Sequence, residues 1–397
     1  MFYNKHFFYK NNILHCDNIN LLKFNSATKT PCYIYNKNAI QEAYNHINDS
    51  ITHENKIICY AMKACHNDNI LRILKNLNSG VDCVSEGEMK KALKIGFDPN
   101  KIIFSASAKT DQSIKFSIKQ DILQINVESF YEIEQIDKIA KKLNTTQKIG
   151  IRIKPNIKIN THKKISTGHS ESKFGISIDQ ISKEKLQWIQ KFRHVKLCGF
   201  SVHIGSQIFN LEEYQLAYEK LINITNIAID MNFDIQTIDF GGGFGVQYKN
   251  KHKAFNFKEY NAIVLNVSKK LKKNNLQYIF EPGRFVIANS AILIAKVLCI
   301  KEDYHKKYAI LNTGMNSMIR VALYNAYHDI LPIKRSNKSD KYDICGIICE
   351  SSDFFAKNRK ISELKIGDLI AIMSCGAYGS SMASQYNLHK IPREIII

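Results

Sequence analysis

"KIICYAMKACHNDNILRILKNLNSGVDCV", residues 56–84, decides how the rest of the chain is read. Its first run, "IICYAM", is continuously apolar, short and rich in β-formers, which is the pattern of a strand buried on both faces. "NILRILKNL" then places apolar residues at three- and four-residue spacing, as an amphipathic helix does. "VDCV" is a second short apolar run. The unit is therefore strand, helix, strand, and it recurs. "IIFSA" (102–106), "ILQIN" (122–126), "IGIRI" (149–153), "LCGFSV" (197–202), "IQTIDF" (235–240) and "QYIFE" (277–281) follow, most of them separated by helical patterns such as "FYEIEQIDKIAKKL". Eight strands alternating with helices predict parallel pairing, in a doubly wound sheet or a closed (β/α)8 barrel, and the count of eight favours the barrel.

After Pro282 the helical period fades. "AILIAKVLCI", "KYAILN", "YDICGIICE", "DLIAIM" and "EIII" read as strands of a separate C-terminal β-domain, sandwich- or barrel-like. The first 40 residues do not fit the barrel repeat, and "TPCYIYN" is assigned to the same β-domain. The expected organisation is residues 1–40 packing with the β-domain, 41–284 as the barrel and 285–397 as the β-domain. The fifth strand is followed by a long polar connection, residues 154–176, of the kind that serves function. It is expected to close over a bound substrate.

Composition narrows the classes. A net charge of +20 raises nucleic-acid or anionic-surface binding. The lysines are scattered over presumed helix faces, with no basic stripe or interleaved aromatics, so that class is set aside. Ten cysteines spread over a long chain, mostly inside apolar runs and without a CxxC pair, support neither a disulfide scaffold nor a zinc site. The first residues lack the charged and apolar regions of a signal peptide, and the longest apolar stretch is broken by Asn289, Ser290 and Lys296. A soluble, cytoplasmic protein is expected.

Barrel active sites form at the C-terminal ends of the strands. Lys63 ends the first strand, His203 the sixth, Gly241–Gly245 follow the seventh, and "EPGR", residues 281–284, closes the eighth. A lysine at a strand end is in most proteins a solvated cap, a histidine there a satisfied core residue, and a glycine run a tight turn. Their convergence on one mouth argues otherwise. Consecutive glycines let backbone N–H groups approach an anion, although the spacing is not that of a dinucleotide fold. With only 8 arginines against 48 lysines, arginine is not the chain's generic cation. Arg152, Arg284 and Arg320 are therefore candidate forks for carboxylate or phosphate. A lysine able to form a Schiff base, an anion loop, an imidazole and a carboxylate together suit pyridoxal phosphate, whose ring nitrogen needs an acidic partner.

"YAMKA" (60–64), "HIGSQI" (203–208), "DFGGGFG" (239–245), "EPGR", "CESSD" (349–353) and "GAYGSSMASQYN" (376–387) resemble, in order, the motifs of the diaminopimelate decarboxylases. These are barrel-type, pyridoxal-phosphate-dependent enzymes. "STGHSESKFGI" (166–176) and "GMNSMIRVALY" (314–324) match as well. The resemblance implies that Lys63 carries the cofactor and His203 stacks on its ring. It implies that Ser206, Gly241, Gly242, Gly243, Gly283 and Arg284 hold the phosphate and that Glu281 faces the ring nitrogen. Arg284, Arg320 and Tyr324 match substrate-carboxylate contacts, Cys349 the proton donor, Glu350 an ammonium contact, and Tyr378 a residue touching cofactor and substrate. No metal is expected. The resemblance also implies a homodimer with shared sites, meso-diaminopimelate as substrate and L-lysine as product, with no nucleic-acid or membrane partner. Cys65, Ser317, Val321 and the tail 386–393 depart from the usual pattern. The competing readings are another barrel-type decarboxylase, acting on ornithine, arginine or a carboxynorspermidine-like substrate, and an inert cofactor-binding homologue.

Overall fold

The computed structural model describes residues 6–25, 30–157, 172–249 and 253–397. It divides into two units. One comprises Tyr44–Gly245 and Phe255–Gly283, the other the chain up to Ala43, Val246–Ala254 and Arg284–Ile397.

The first unit is a parallel barrel. Lys56–Ala61, Gly80–Cys83, Ile102–Phe104, Gln124–Val127, Gln147–Lys154, Val195–Val202, Thr237–Asp239 and Gln277–Phe280 pair side by side in chain order. The eighth strand returns to pair with the first, Ile279 opposite Ile57, which closes the ring. The eight predicted strands are these eight. Helices cover the outside, and their ends are specified locally. Ser85 accepts from the Glu88 N–H while the Glu88 carboxylate accepts from Val84 N–H at 2.7 Å. Ser129 and Glu132 repeat this reciprocal capping two βα units further on. The helix Asp68–Asn76 turns Ile70, Leu71 and Leu74 inward, each burial contributing roughly 1.5–3 kcal/mol.

The barrel interior is not wholly apolar. Thr237 Oγ1 donates to Gln124 Oε1 at 2.6 Å, Gln124 Nε2 donates to Asn126 Oδ1 at 2.7 Å, and Asn126 Nδ2 donates to Asp239 Oδ2 at 3.2 Å. All four side chains are buried. Gly150 makes room for this ladder, because a Cβ there would lie 2.5 Å from Asn126 Oδ1. Each rung is satisfied by the next, which is what makes such burial tolerable.

The second unit is β-rich. The 13-residue strand Ala291–Asp303 organises it. Its first half pairs with Cys32–Tyr35 and Leu369–Ile372, and from Val297 onward, across an irregularity between Val297 and Cys299, it pairs with Lys306–Leu311. Cys32–Tyr35 thus brings the N-terminal segment into this sheet, as expected, with Arg393–Ile396 on its other side. The "YDICGIICE" run does not continue as strand. Ser339–Cys345 ends there, and a turn follows that bonds back on itself through Asp353. Five strands of this unit were not anticipated: Ile330–Pro332, Phe354–Ser362, and the small sheet of Phe7–Lys10, Ile13–Cys16 and Ile19–Asn20. Among the described residues no helix is long and apolar enough to cross a membrane.

Candidate active site

Lys63 sits in a 3-10 turn, Met62–Ala64, immediately after the first barrel strand. Its Nζ is 2.8 Å from Asp82 Oδ2, at the end of the neighbouring strand, and the Asp82 side chain is fully buried. Asp82 Oδ1 has no partner among the described residues. The lysine is thus held by one carboxylate oxygen, and the other is left buried and unsatisfied. That costs stability unless a ligand approaches.

Glu281, 7% exposed, ends the eighth strand. Its Oε1 accepts from Ser105 Oγ at 3.4 Å, and its backbone N–H donates to Gly241 O at 2.7 Å. Burial pushes its carboxyl well above the usual range, and the Asp239 and Asp82 carboxylates push it further. Gly283 follows two residues later, packed against Ala61 and Ala64 on either side of Lys63.

The glycine run has the geometry of a cradle. Gly241 has a φ of +66°, and a Cβ there would lie 2.2 Å from Val202 O. A Cβ on Gly242 would lie 2.1 Å from Glu281 O. No side chain fits at either place, so the backbone itself forms the surface. The Gly242 N–H donates to His203 Nδ1 at 3.2 Å, which leaves the ring proton on Nε2. Burial, with Arg152 and Lys63 nearby, holds His203 well below its ordinary value, so the ring is neutral. Ser206 lies just beyond, in the loop after the sixth strand. Arg152, a candidate anion contact, is already paired with Glu128 at 2.6 Å and stacked on Phe174. The connection over residues 158–171, with most of "STGHSESKFGI", lies outside the described residues.

The β-rich unit carries the other predicted residues. Arg284 and Arg320 are both buried. Tyr248 Oη accepts from Arg284 Nη1 at 3.1 Å. Arg284 also lies over the Tyr378 ring, 4.9 Å from its centroid, and Tyr378 holds a left-handed φ of 57°. Arg320 opens the short helix Arg320–Tyr324. Its Nη1 donates to His328, and its Nε is buried without a partner among the described residues.

Cys349 and Glu350 lie on the exposed turn after Ser339–Cys345. Asp353 shapes that turn, accepting from Ile348 N–H at 2.7 Å and Met315 N–H at 2.6 Å. Asn387 accepts from the Cys349 N–H at 2.9 Å, and Tyr386 Oη donates to Glu350 Oε1 at 2.7 Å. Among the departures, Cys65 is buried and its carbonyl accepts from Tyr60, and Ser317 is buried with its carbonyl accepting from Tyr33.

Comparison with known proteins completes the picture. The family described as "Pyridoxal-dependent decarboxylase, pyridoxal binding domain" matches residues 37–288. The diaminopimelate decarboxylase of Helicobacter pylori is 40% identical over 361 residues, 90% of this chain and 88% of that protein. The chain belongs to the diaminopimelate decarboxylase family. A crystal structure of the H. pylori enzyme complexed with L-lysine superposes with a TM-score of 0.90 at 40% identity, covering 95% of this chain and 94% of that one. The M. jannaschii enzyme, in co-complex with L-lysine, gives 0.94 at 31% identity, covering all of this chain and 94% of that one.

The family's cofactor is pyridoxal phosphate, and the barrel residues fit it. An amine at Lys63, an unsatisfied carboxylate oxygen at Asp82, a backbone cradle closed to side chains and a buried carboxyl at Glu281 are the features such a group requires. Sequence reasoning passed over Asp82, Asp239, Tyr248 and His328. Asp82 and Asp239 each sit as one acid in a short buried strand, and neither stands out from its run until its partners are known.

Asp239 supplies a pH test. Burial raises its carboxyl to about 6, against the Gly241 N–H bond that lowers it. The folded protein therefore holds this proton more tightly than the unfolded chain, whose carboxyl titrates near 3.8. The stabilisation is fully present below that value and is lost as pH rises through about 6. We expect the urea midpoint of cofactor-free wild type to fall across this window, and that of Asp239→Asn to fall measurably less. Parallel curves would exclude Asp239 as the source.

Proposed function

We propose that this chain is a pyridoxal-phosphate-dependent decarboxylase that converts meso-2,6-diaminopimelate to L-lysine and carbon dioxide, the last step of lysine biosynthesis. The observation that carries the choice of substrate is Arg320. It is a buried guanidinium whose Nε has no partner and which pairs with no carboxylate among the described residues. A buried donor left open in this way is a receptor for an anionic group. A decarboxylase whose substrate ends in an amine alone has no use for it.

Bound at Lys63, pyridoxal phosphate supplies an electron-withdrawing ring that stabilises the electron pair left when a carboxylate departs as carbon dioxide. The chain's own groups do the rest. Lys63 anchors the cofactor by its amine and Asp82 holds that amine in place. Glu281 faces the ring nitrogen, and His203, neutral, offers its ring face. Gly241, Gly242, Gly243, Ser206, Gly283 and Arg284 hold the phosphate: Ser206 offers its hydroxyl and Arg284 its guanidinium, while the glycines let the backbone close around it, the Gly241 and Gly242 N–H groups being engaged by Asp239 and His203. Arg284, Arg320 and Tyr324 grip the substrate carboxylates, Glu350 the distal ammonium, and Tyr378 touches substrate and cofactor. Cys349 delivers the proton that replaces the lost carboxylate at Cα.

We further infer a homodimer in which Cys349 and Glu350 serve the partner subunit's barrel. Their turn is exposed, Ile347 beside them in sequence is an exposed apolar side chain, and so are Tyr386, Leu388 and Ile391 on the segment that bonds the turn through Tyr386 and Asn387. The proposed setting is the cytoplasm, since all ten cysteines are free thiols.

A product assay tests the reading. Purified protein with pyridoxal phosphate is given meso-diaminopimelate, ornithine and arginine in parallel, and amines are read by mass. Lysine from diaminopimelate alone is expected. A diamine from ornithine, or agmatine from arginine, would keep the decarboxylation chemistry and overturn the assignment of Arg320.

A further inference from the structure

Tyr248 lies in the segment Val246–Ala254, which belongs to the β-rich unit although it directly follows the glycine loop in sequence. It is buried between the two arginines that the functional reading assigns to carboxylate binding. Its hydroxyl oxygen accepts from Arg284 Nη1 at 3.1 Å, and the Arg320 guanidinium lies over its ring, 5.0 Å from the centroid. One phenol thus engages one cation by its edge and the other by its face.

His328 fixes the second arginine from behind. Its Nδ1 is 2.8 Å from the Met373 carbonyl, which only accepts, so Nδ1 carries the proton. Nε2 is then a lone pair and accepts from Arg320 Nη1 at 2.8 Å. The His328 ring meets the Tyr248 ring edge-on, with centroids 5.3 Å apart. Arg320 is held through Nη1 and its guanidinium face, while its Nε stays open. Two like charges are locked near one another with a donor left over. Burial works to raise the Tyr248 phenol, and Arg320 and Arg284 together outweigh it and bring it below its ordinary value.

We propose that Tyr248 is a specificity-determining positioning residue. Its hydroxyl and ring hold Arg284 and Arg320 as one receptor for the carboxylate that distinguishes an amino-acid end from a plain amine. The inference rests on the functional reading above. Phenylalanine would fill the same space and keep the ring contact, so the hydroxyl is what the test removes.

The experiment uses the full-length holoenzyme and two probes, L-lysine and cadaverine, which share their amines and differ by one carboxylate. Binding is read from the cofactor's absorbance, and folding from the thermal melt. In Tyr248→Phe, L-lysine binding is expected to weaken about tenfold, while cadaverine binding stays within about twofold. His328→Leu should weaken L-lysine similarly, and His328→Gln, whose amide oxygen accepts from Arg320, should restore most of it. Equal weakening of both probes would reduce Tyr248 to a structural role and overturn the proposal. Unchanged L-lysine binding would overturn it as well. If the wild type binds L-lysine no better than cadaverine, the functional reading itself fails, and the inference falls with it.

Discussion

Lys63→Ala is expected to lower lysine formation by at least about 10³-fold and to let pyridoxal phosphate escape on dialysis, whereas the wild type retains it. The environment of Lys63 explains why no neighbour can substitute. Lys63 Nζ lies 2.8 Å from the carboxylate of the fully buried Asp82. Removing it strands a carboxylate whose other oxygen already lacks a partner. Breaking one side of a buried pair costs about 3–5 kcal/mol, and the lower end applies because the Lys63 side chain is 38% exposed. The cofactor-free variant should therefore unfold at lower urea concentration, and Lys63→Ala combined with Asp82→Asn should recover most of that loss. Recovery of stability without recovery of activity separates the two roles. A single variant keeping a tenth of wild-type turnover would refute the assignment of Lys63.

Cys349→Ala removes the proposed proton donor. Loss of a general acid lowers kcat by about 10²- to 10⁴-fold, with KM little changed, because the thiol acts after substrate has bound. Its position makes the test sharper. The turn carrying it is fixed by Asp353 and Asn387, so alanine should leave the backbone where it is. If each thiol serves the partner subunit's barrel, mixing Lys63→Ala with Cys349→Ala and allowing subunits to exchange rebuilds one intact site in half the dimers. Activity should return to about a quarter of wild type. No recovery on mixing, with exchange verified, would mean that both residues act within one chain.

The barrel was legible because parallel strands buried on both faces are continuous apolar runs, and eight such runs separated by helical periods leave few alternatives. Lys63, His203, the glycine run and Glu281 stood out because each interrupts or terminates such a run at a strand's C-terminal end. Asp82 did not, since one acid in a four-residue strand looks like an ordinary polar residue until its cation is known. Tyr248 and His328 were invisible for a different reason. Their importance comes from arginines 36 and 8 residues away in sequence, and contact between distant residues leaves no local periodicity. Phe354–Ser362 escaped notice because Lys357, Asn358, Arg359 and Lys360 interrupt its apolar pattern. Ile330–Pro332 is only three residues long and ends in proline. "GIICE" looked like strand because most of its residues are β-formers, yet Asp353 takes two of the backbone N–H groups that a sheet would use, Ile348's on its carboxylate and Gly346's on its carbonyl.

The hydrogen-bonded ladder through the barrel has a bearing on how this chain can change. Thr237, Gln124, Asn126 and Asp239 each complete the next, so an apolar replacement at one rung leaves its neighbour's donor or acceptor stranded in a dry interior. Substitution there is tolerable only in concert, several positions shifting together or none. In lineage terms the rungs are inherited as a block. For anyone redesigning the barrel, they form a single design variable rather than four independent sites.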